Sequence, residues 1–185
     1  MTDRLLTLLR EHSFARRRIV LTSGKESDFF IDCKQTVLLA EGHALVGAAM
    51  LEALAELGPL PDAVAGVALG GCPLASAVAL TSHQRSTPLD AVYVRKAAKE
   101  HGSARRIEGD THLDAGARVA VLEDVVTTGG STVDAIECLR AAGYAVPAVI
   151  ALVDRREGGA DRIAASDVAF RSIYAREDFL GEDGA

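Results

Sequence analysis

The sequence predicts an α/β fold built on a mainly parallel sheet, and three observations carry that expectation. Short, continuously apolar runs read as strands buried on both faces, segments with helical apolar spacing lie between them, and glycines punctuate their ends. The first clear helix is drawn by Leu45, Val46, Ala49, Met50, Ala53, Leu54 and Leu57, and Gly58 and Pro59 stop it. Residues 63–69, closed by Gly70 and Gly71, form the first buried strand. Further strands are expected at 89–94, 118–123 and 148–153, with helical stretches at 74–84 and 133–142. Alternation of this kind folds through right-handed crossovers. It breaks once, over 95–117, which is polar, contains glycine and lacks helical periodicity; connections of that length are usually lids, binding loops or disordered, and taken alone this one reads first as a solvated charged loop. Residues before about 39 and after about 155 hold shorter candidates that pattern alone does not place on the sheet.

At 185 residues and 49% hydrophobic content the chain has the size and apolar content of one domain with its own core. Twenty Lys and Arg against 26 Asp and Glu leave a net charge of −6, which opposes attraction to nucleic acid or an anionic membrane. Cys33, Cys72 and Cys138 are odd in number and widely spaced, a pattern of neither a disulfide framework nor a metal knuckle. Near the N-terminus Leu5, Leu6, Leu8 and Leu9 are interrupted by Arg4, Arg10 and Glu11, too short a run for a signal peptide or a span. A cytoplasmic protein is expected. Within this acidic chain the segment 95–106 stands apart, because Arg95, Lys96, Lys99, Arg105 and Arg106 face a single acid, Glu100.

The strongest site signal follows the 118–123 strand. Glu123 and Asp124 lead through Val125 and Val126 into Thr127, Thr128, Gly129, Gly130, Ser131 and Thr132, and then a helix. Ligands of open α/β sheets sit beyond the carboxyl ends of the strands. Two glycines admit close backbone approach, the helix start offers N–H groups, and four hydroxyls add donors, which together suit a phosphate. The turn lacks the Gly-Lys-Ser/Thr ending of a P-loop and the three-glycine spacing of a dinucleotide fold, so a sugar monophosphate is the natural guest. Two carboxylates directly before such a cradle need a different partner, either sugar hydroxyls or a metal-bound substrate. Solvation of the strand end is the plainer alternative for each taken singly.

The run from Glu123 to Ser131 resembles the phosphoribosyl-pyrophosphate signature of the type I phosphoribosyltransferases. Arg95, Lys96, Lys99, His101 and Gly102 resemble the mobile catalytic loop of the orotate phosphoribosyltransferase family, and Ser23, Gly24, Ser27, Asp28, Phe29 and Phe30 resemble its base-binding N-terminal segment. Asp154, Arg155 and Glu157 match in order and spacing. The resemblance implies the type I fold, a central mainly parallel sheet flanked by helices with a small hood from about 1–40 and 155–180, and a catalytic loop over 95–117 in a single 1–185 domain. It implies Mg²⁺-dependent transfer of ribosyl 5-phosphate from phosphoribosyl pyrophosphate to orotate. Lys99, His101, Glu123 and Asp124 are the implied catalytic residues, His101 as proton donor and the two acids on the ribose hydroxyls. Arg95 and Lys96 would meet the pyrophosphate together with the Gly70–Gly71 loop. The turn Thr127, Thr128, Gly129, Gly130, Ser131, Thr132 would take the 5-phosphate, and Thr127, Arg155, Lys25, Phe29 and Phe30 the orotate. The Mg²⁺ is implied to bind mainly substrate and water, and a homodimer is implied with the basic loop shared in trans.

Two departures stand out: Glu26 and Gly70 occupy positions where many family members carry Lys. The bland readings are a surface charge run for Arg155 and its neighbours and hydrophobic anchoring for Phe29 and Phe30. A purine-type phosphoribosyltransferase would share 123–132 without the basic loop, and a non-catalytic sensor of phosphoribosyl pyrophosphate would keep the fold but add a nucleic-acid-binding surface.

Overall fold

The computed structural model describes residues 3–20, 26–97 and 105–180. Lys25, Lys99 and His101 therefore lie outside the described residues. The element order is α1 (Arg4–Leu8), a π-helical turn (Leu9–Ser13), β1 (Phe14–Val20), β2 (Glu26–Ile31), α2 (Lys34–Val37), α3 (Ala40–Glu56), β3 (Ala63–Val67), α4 (Gly71–Gln84), β4 (Asp90–Val94), β5 (Ile107–Glu108), β6 (Val119–Val126), α5 (Gly130–Ala141), β7 (Ala148–Asp154), α6 (Gly159–Ala164), β8 (Ala169–Ala175) and α7 (Arg176–Leu180).

The main sheet has six strands in the order β5-β4-β3-β6-β7-β8, all neighbours parallel except β5 with β4. Every residue of β3 and β7 is buried, as continuous apolar runs require when helices cover both faces. Alternation splits the side chains of β3 and β6 between two cores: Val64, Ala120 and Leu122 join the layer with α3 and α4, while Ala63, Ala65, Val119 and Val121 join the layer with α5 and α6. The chain leaves β3 toward β4 but leaves β6 toward β7, so the winding reverses between β3 and β6, which pair in parallel from Ala63↔Val119 to Gly66↔Leu122. The crevice beyond their carboxyl ends is where this architecture places a ligand.

The structure moves several sequence-based boundaries. The strand expected to end at Glu123 runs on to Val126, because Val125↔Val153 and Val126↔Asp154 keep the parallel ladder going past the two acids. The 95–117 segment is not structureless throughout: Ile107 and Glu108 form β5 against Val94 and Tyr93. The N-terminal part forms a separate antiparallel ribbon of β1 and β2, registered Phe14↔Ile31 and Arg16↔Phe29. Beyond residue 155, α6 and β8 extend the main sheet and its helical layer, and α7 reaches the ribbon. There Phe179 packs on Phe14 at 5.5 Å and Phe29 at 5.7 Å between ring centroids, and Leu180 O accepts a 2.8 Å bond from Arg16.

Candidate active site at the sheet switch point

Four pieces of chain meet around the crevice. The first is the turn after β6, where Gly129 adopts φ +73° as the residue capping α5 and so turns the strand sharply into a helix whose first N–H groups have no partner within it. Gly159, the first residue of α6, braces this turn from behind. A Cβ there would come within 2.6 Å of Thr127 O and 3.0 Å of Gly129 N, so the two segments touch backbone to backbone. The Gly158–Gly159 pair was missed in the sequence, although a second strand–Gly–Gly–helix pattern repeats the form of Gly129–Gly130.

The hydroxyls of the turn divide by direction. Thr128 and Ser131 are exposed, Thr127 is half-buried, and Thr132 is fully buried. Thr132 Oγ1 donates to Glu123 Oε2 at 3.0 Å and Ser131 Oγ to the same oxygen at 3.2 Å. Thr132 thus points inward to the acid, away from the open face of the turn. Glu123 is 5% exposed, and its carboxyl is pushed up to about 8, first by burial and then by the charge of Asp124 close beside it, against the pull of the two hydroxyls. At neutral pH it retains much of its proton, which relieves the repulsion expected of two adjacent carboxylates.

Asp124 contacts the second piece, the loop after β3. A Cβ built on Gly70 would overlap its carboxylate, so the absence of a side chain at 70 is what lets Asp124 lie against this loop. Asp124 Oδ1 also accepts the Val125 N–H at 3.0 Å. Gly71 opens α4, and Ala68 N bonds to Val94 O at 2.9 Å, fastening the loop to β4. Nearby Cys72 has its thiol raised by burial, which suits packing better than nucleophilic attack.

The third piece is basic. Arg95 N donates to Arg106 O at 2.8 Å and Arg106 Nε to Arg95 O at 2.9 Å, closing the base of the loop between them. Arg95 pairs with Glu108 at 3.3 Å, and Arg106 forms a two-pronged ion pair with Asp134 on α5. Arg95, Lys96 and Arg106 line a cavity of about 270 Å³ with Gly130, Ser131 and Asp134, so the basic edge opens onto the turn after β6. Asp134 had no signal in the sequence beyond its place one turn into the helix.

The fourth piece is the β2–β7 junction. Arg155 is 7% exposed and its Nη2 bonds to Phe29 O at 3.3 Å and to Glu157 Oε1 at 2.9 Å, with the guanidinium 5.5 Å from the Phe29 ring centre. The Phe29 ring is itself fully buried, 5.1 Å from Phe14 in an aromatic cluster. Its ring serves as the hydrophobic anchor and its carbonyl is the group turned toward Arg155, while Phe30 is half-buried.

A parallel α/β sheet whose switch point gathers a Gly-capped helix start, a carboxyl pair and a basic edge has the arrangement expected of a sugar-phosphate transferase. The family model of the phosphoribosyl transferase domain matches residues 38–178. A relative from Sorangium cellulosum, an orotate phosphoribosyltransferase, is 61% identical over 181 residues, covering 98% of this chain and 94% of its own. The crystal structure of Mycobacterium tuberculosis orotate phosphoribosyltransferase superposes with a TM-score of 0.80 at 36% identity, over 96% of this chain and 97% of that one. A structure of the same enzyme in complex with 5-phospho-α-D-ribosyl 1-diphosphate gives 0.77 at 33% identity, over 95% and 96%. The chain belongs to the orotate phosphoribosyltransferase family, and its fold is the type I phosphoribosyltransferase fold. Among the described residues no helix is long and apolar enough to cross a membrane.

Proposed function

We propose that the protein transfers the ribosyl 5-phosphate of phosphoribosyl pyrophosphate to a ring nitrogen of orotate, giving orotidine 5′-monophosphate and pyrophosphate in the cytoplasmic synthesis of UMP. The observation that carries the reading is the convergence of the Gly129-capped turn, the Glu123–Asp124 pair and the Arg95–Arg106 edge on one crevice. The turn from Thr127 to Ser131 binds the 5-phosphate through N–H groups and hydroxyls. Asp124 and Glu123 take the ribose hydroxyls and place negative charge beside the carbon that becomes cationic as the C–O bond to pyrophosphate breaks. The Gly70–Gly71 backbone, Arg95 and Lys96 hold the leaving pyrophosphate, while Lys99 neutralises it and His101 donates a proton.

Arg155 and the carbonyl edge of Phe29 and Phe30, with Lys25 and Thr127, orient orotate; a guanidinium matches its carboxylate. The donor set fits Mg²⁺ held chiefly by substrate and water. The adjacent carboxyls of Glu123 and Asp124 are hard oxygen donors of the kind such an ion accepts beside its substrate and water ligands. When bound, that ion neutralises pyrophosphate charge. The 1–40 segment, joined by α7 from the 155–180 stretch, contributes the base-binding hood, and the 95–117 loop serves the other subunit's site in a homodimer. The test offers purified protein, Mg²⁺ and phosphoribosyl pyrophosphate with orotate, uracil, hypoxanthine or adenine in turn. Turnover of orotate alone is expected, and preference for a purine overturns the reading.

A further inference from the structure

We propose that Arg162, a residue no sequence motif singles out, is a further binding residue for the 5-phosphate, its guanidinium standing at the rim of the 127–132 turn. The proposal rests on the sugar-phosphate reading of that turn and adds a cation to it. Its basis is the backbone contact already described. Gly158, at φ +86°, delivers the chain into α6, and Gly159 then lies against Thr127 and Gly129 with no room for a side chain. Residues three apart on a helix share a face, so the position that follows Gly159 by three, Arg162, is carried to the same turn. Its Nη1 lies 3.4 Å, and its Cζ 3.9 Å, from where a Cβ on Gly130 would stand. Gly130 is the first residue of α5, where the unpaired N–H groups of the cradle begin. Ile163 next to it is fully buried, with Cγ1 3.3 Å from the corresponding point on Gly129, so α6 is anchored against the turn at this level.

The charge around Arg162 separates it from the other site arginines. Arg95, Arg106 and Arg155 each face an acid, respectively Glu108, Asp134 and Glu157. Arg162 is exposed, and among the described residues its guanidinium makes no ion pair or side-chain hydrogen bond. An uncompensated guanidinium beside a helix N-terminus places two positive features together, and an anion between them satisfies both. A Cβ at Gly130 would stand in ordinary van der Waals contact with the guanidinium, which measures how near Arg162 comes to the start of α5. A ligand phosphate seated on the turn would draw on backbone N–H groups and this cation.

The test compares wild type, Arg162→Gln and Arg162→Lys for calorimetric binding of ribose 5-phosphate and of inorganic phosphate without orotate, for steady-state transfer, and for Tm. Arg162→Gln is expected to weaken ribose 5-phosphate about 10-fold and raise KM for phosphoribosyl pyrophosphate to match, with kcat within about 2-fold. Arg162→Lys should recover part of the affinity, and the salt dependence of binding should be shallower in Arg162→Gln. A role confined to the last turn of α6 would lower Tm and leave binding unmoved. Affinity in Arg162→Gln within 2-fold of wild type overturns the proposal, as does absence of ribose 5-phosphate binding by wild type. Failure to convert orotate with that binding intact overturns the reaction and leaves Arg162 standing.

Discussion

Replacing Glu123 by Gln should make the protein more stable at alkaline pH while removing a group the reaction uses. Glu123 is almost fully buried, and its carboxyl titrates at about 8 instead of 4.5. A native value above the unfolded one means that between about pH 4.5 and 8 the native state keeps a proton the unfolded chain has lost. Stability therefore falls as pH rises through this window and levels off above it. At about 1.4 kcal/mol per pH unit the full window amounts to on the order of 5 kcal/mol, a ceiling for what the buried charge costs. Glutamine has nearly the same shape, its oxygen can accept the Ser131 and Thr132 hydroxyls, and its amide can donate toward Asp124. Urea unfolding at pH 5, 7 and 8.5 should find the variant within about 1 kcal/mol of wild type at pH 5 and roughly 2–5 kcal/mol more stable at pH 8.5. Transfer activity in the same variant should drop by about 10²-fold. A stability difference that does not grow with pH would refute the reasoning, because it would mean that Glu123 is not the group whose ionisation the fold resists.

The remaining predictions concern the parts that hold the site in shape. Gly159→Ala forces Thr127 and Gly129 to move and should cost about 1–3 kcal/mol together with a loss of ribose 5-phosphate affinity, measured by unfolding and calorimetry. Gly158→Ala, where nothing lies near a Cβ but φ is +86°, should cost about 1–2 kcal/mol in stability with phosphate affinity retained. A double-mutant cycle on Arg106 and Asp134, side chains 26% and 52% exposed, should return a coupling of only about 0.3–1 kcal/mol in stability. Mixed dimers of Lys99→Ala and Asp124→Ala subunits should regain activity by forming one complete site; no recovery after demonstrated subunit exchange would argue against a loop shared in trans.

Where local pattern and tertiary context agree, the sequence reads correctly. The apolar period from Leu45 to Leu54 located α3, but its first turn over Ala40, Glu41, Gly42 and His43 has no such period. There Gly42 lies so close to the Thr36 carbonyl that no side chain fits, an approach the apolar period does not reveal. Charge ended the predicted strand at Glu123, whereas pairing with Val153 and Asp154 carries it three residues further. The ribbon of β1 and β2 escaped placement because its partner, α7, comes from the other end of the chain. In the site, the glycines, acids and hydroxyls were legible as a unit, but the direction of each was not. Thr132 looked like a fourth phosphate donor and is an internal partner of Glu123, and the Phe29 ring is core while its carbonyl faces Arg155. Arg162 and Asp134 had no signal because their meaning lies in what packs across from them.

Net charge misleads about such a crevice because several charges there are already answered locally. Glu123 is answered by a proton, Arg106 by Asp134 and Arg155 by Glu157, each short enough in reach to act before the overall −6 is felt. Positive potential is left at the start of α5, at Arg162 and at Lys96, and negative charge at Asp124. On the proposed reaction, a donor carrying phosphate at one end and pyrophosphate at the other brings its phosphate to the start of α5 and Arg162. Its ribose would then lie against Glu123 and Asp124, where the developing cation would favour the ionised form of Glu123 over the protonated one. On that reading, the carboxyl that costs stability when ionised in the empty protein becomes useful at the moment positive charge appears beside it, so that the proposed catalysis and the instability rest on the same buried acid.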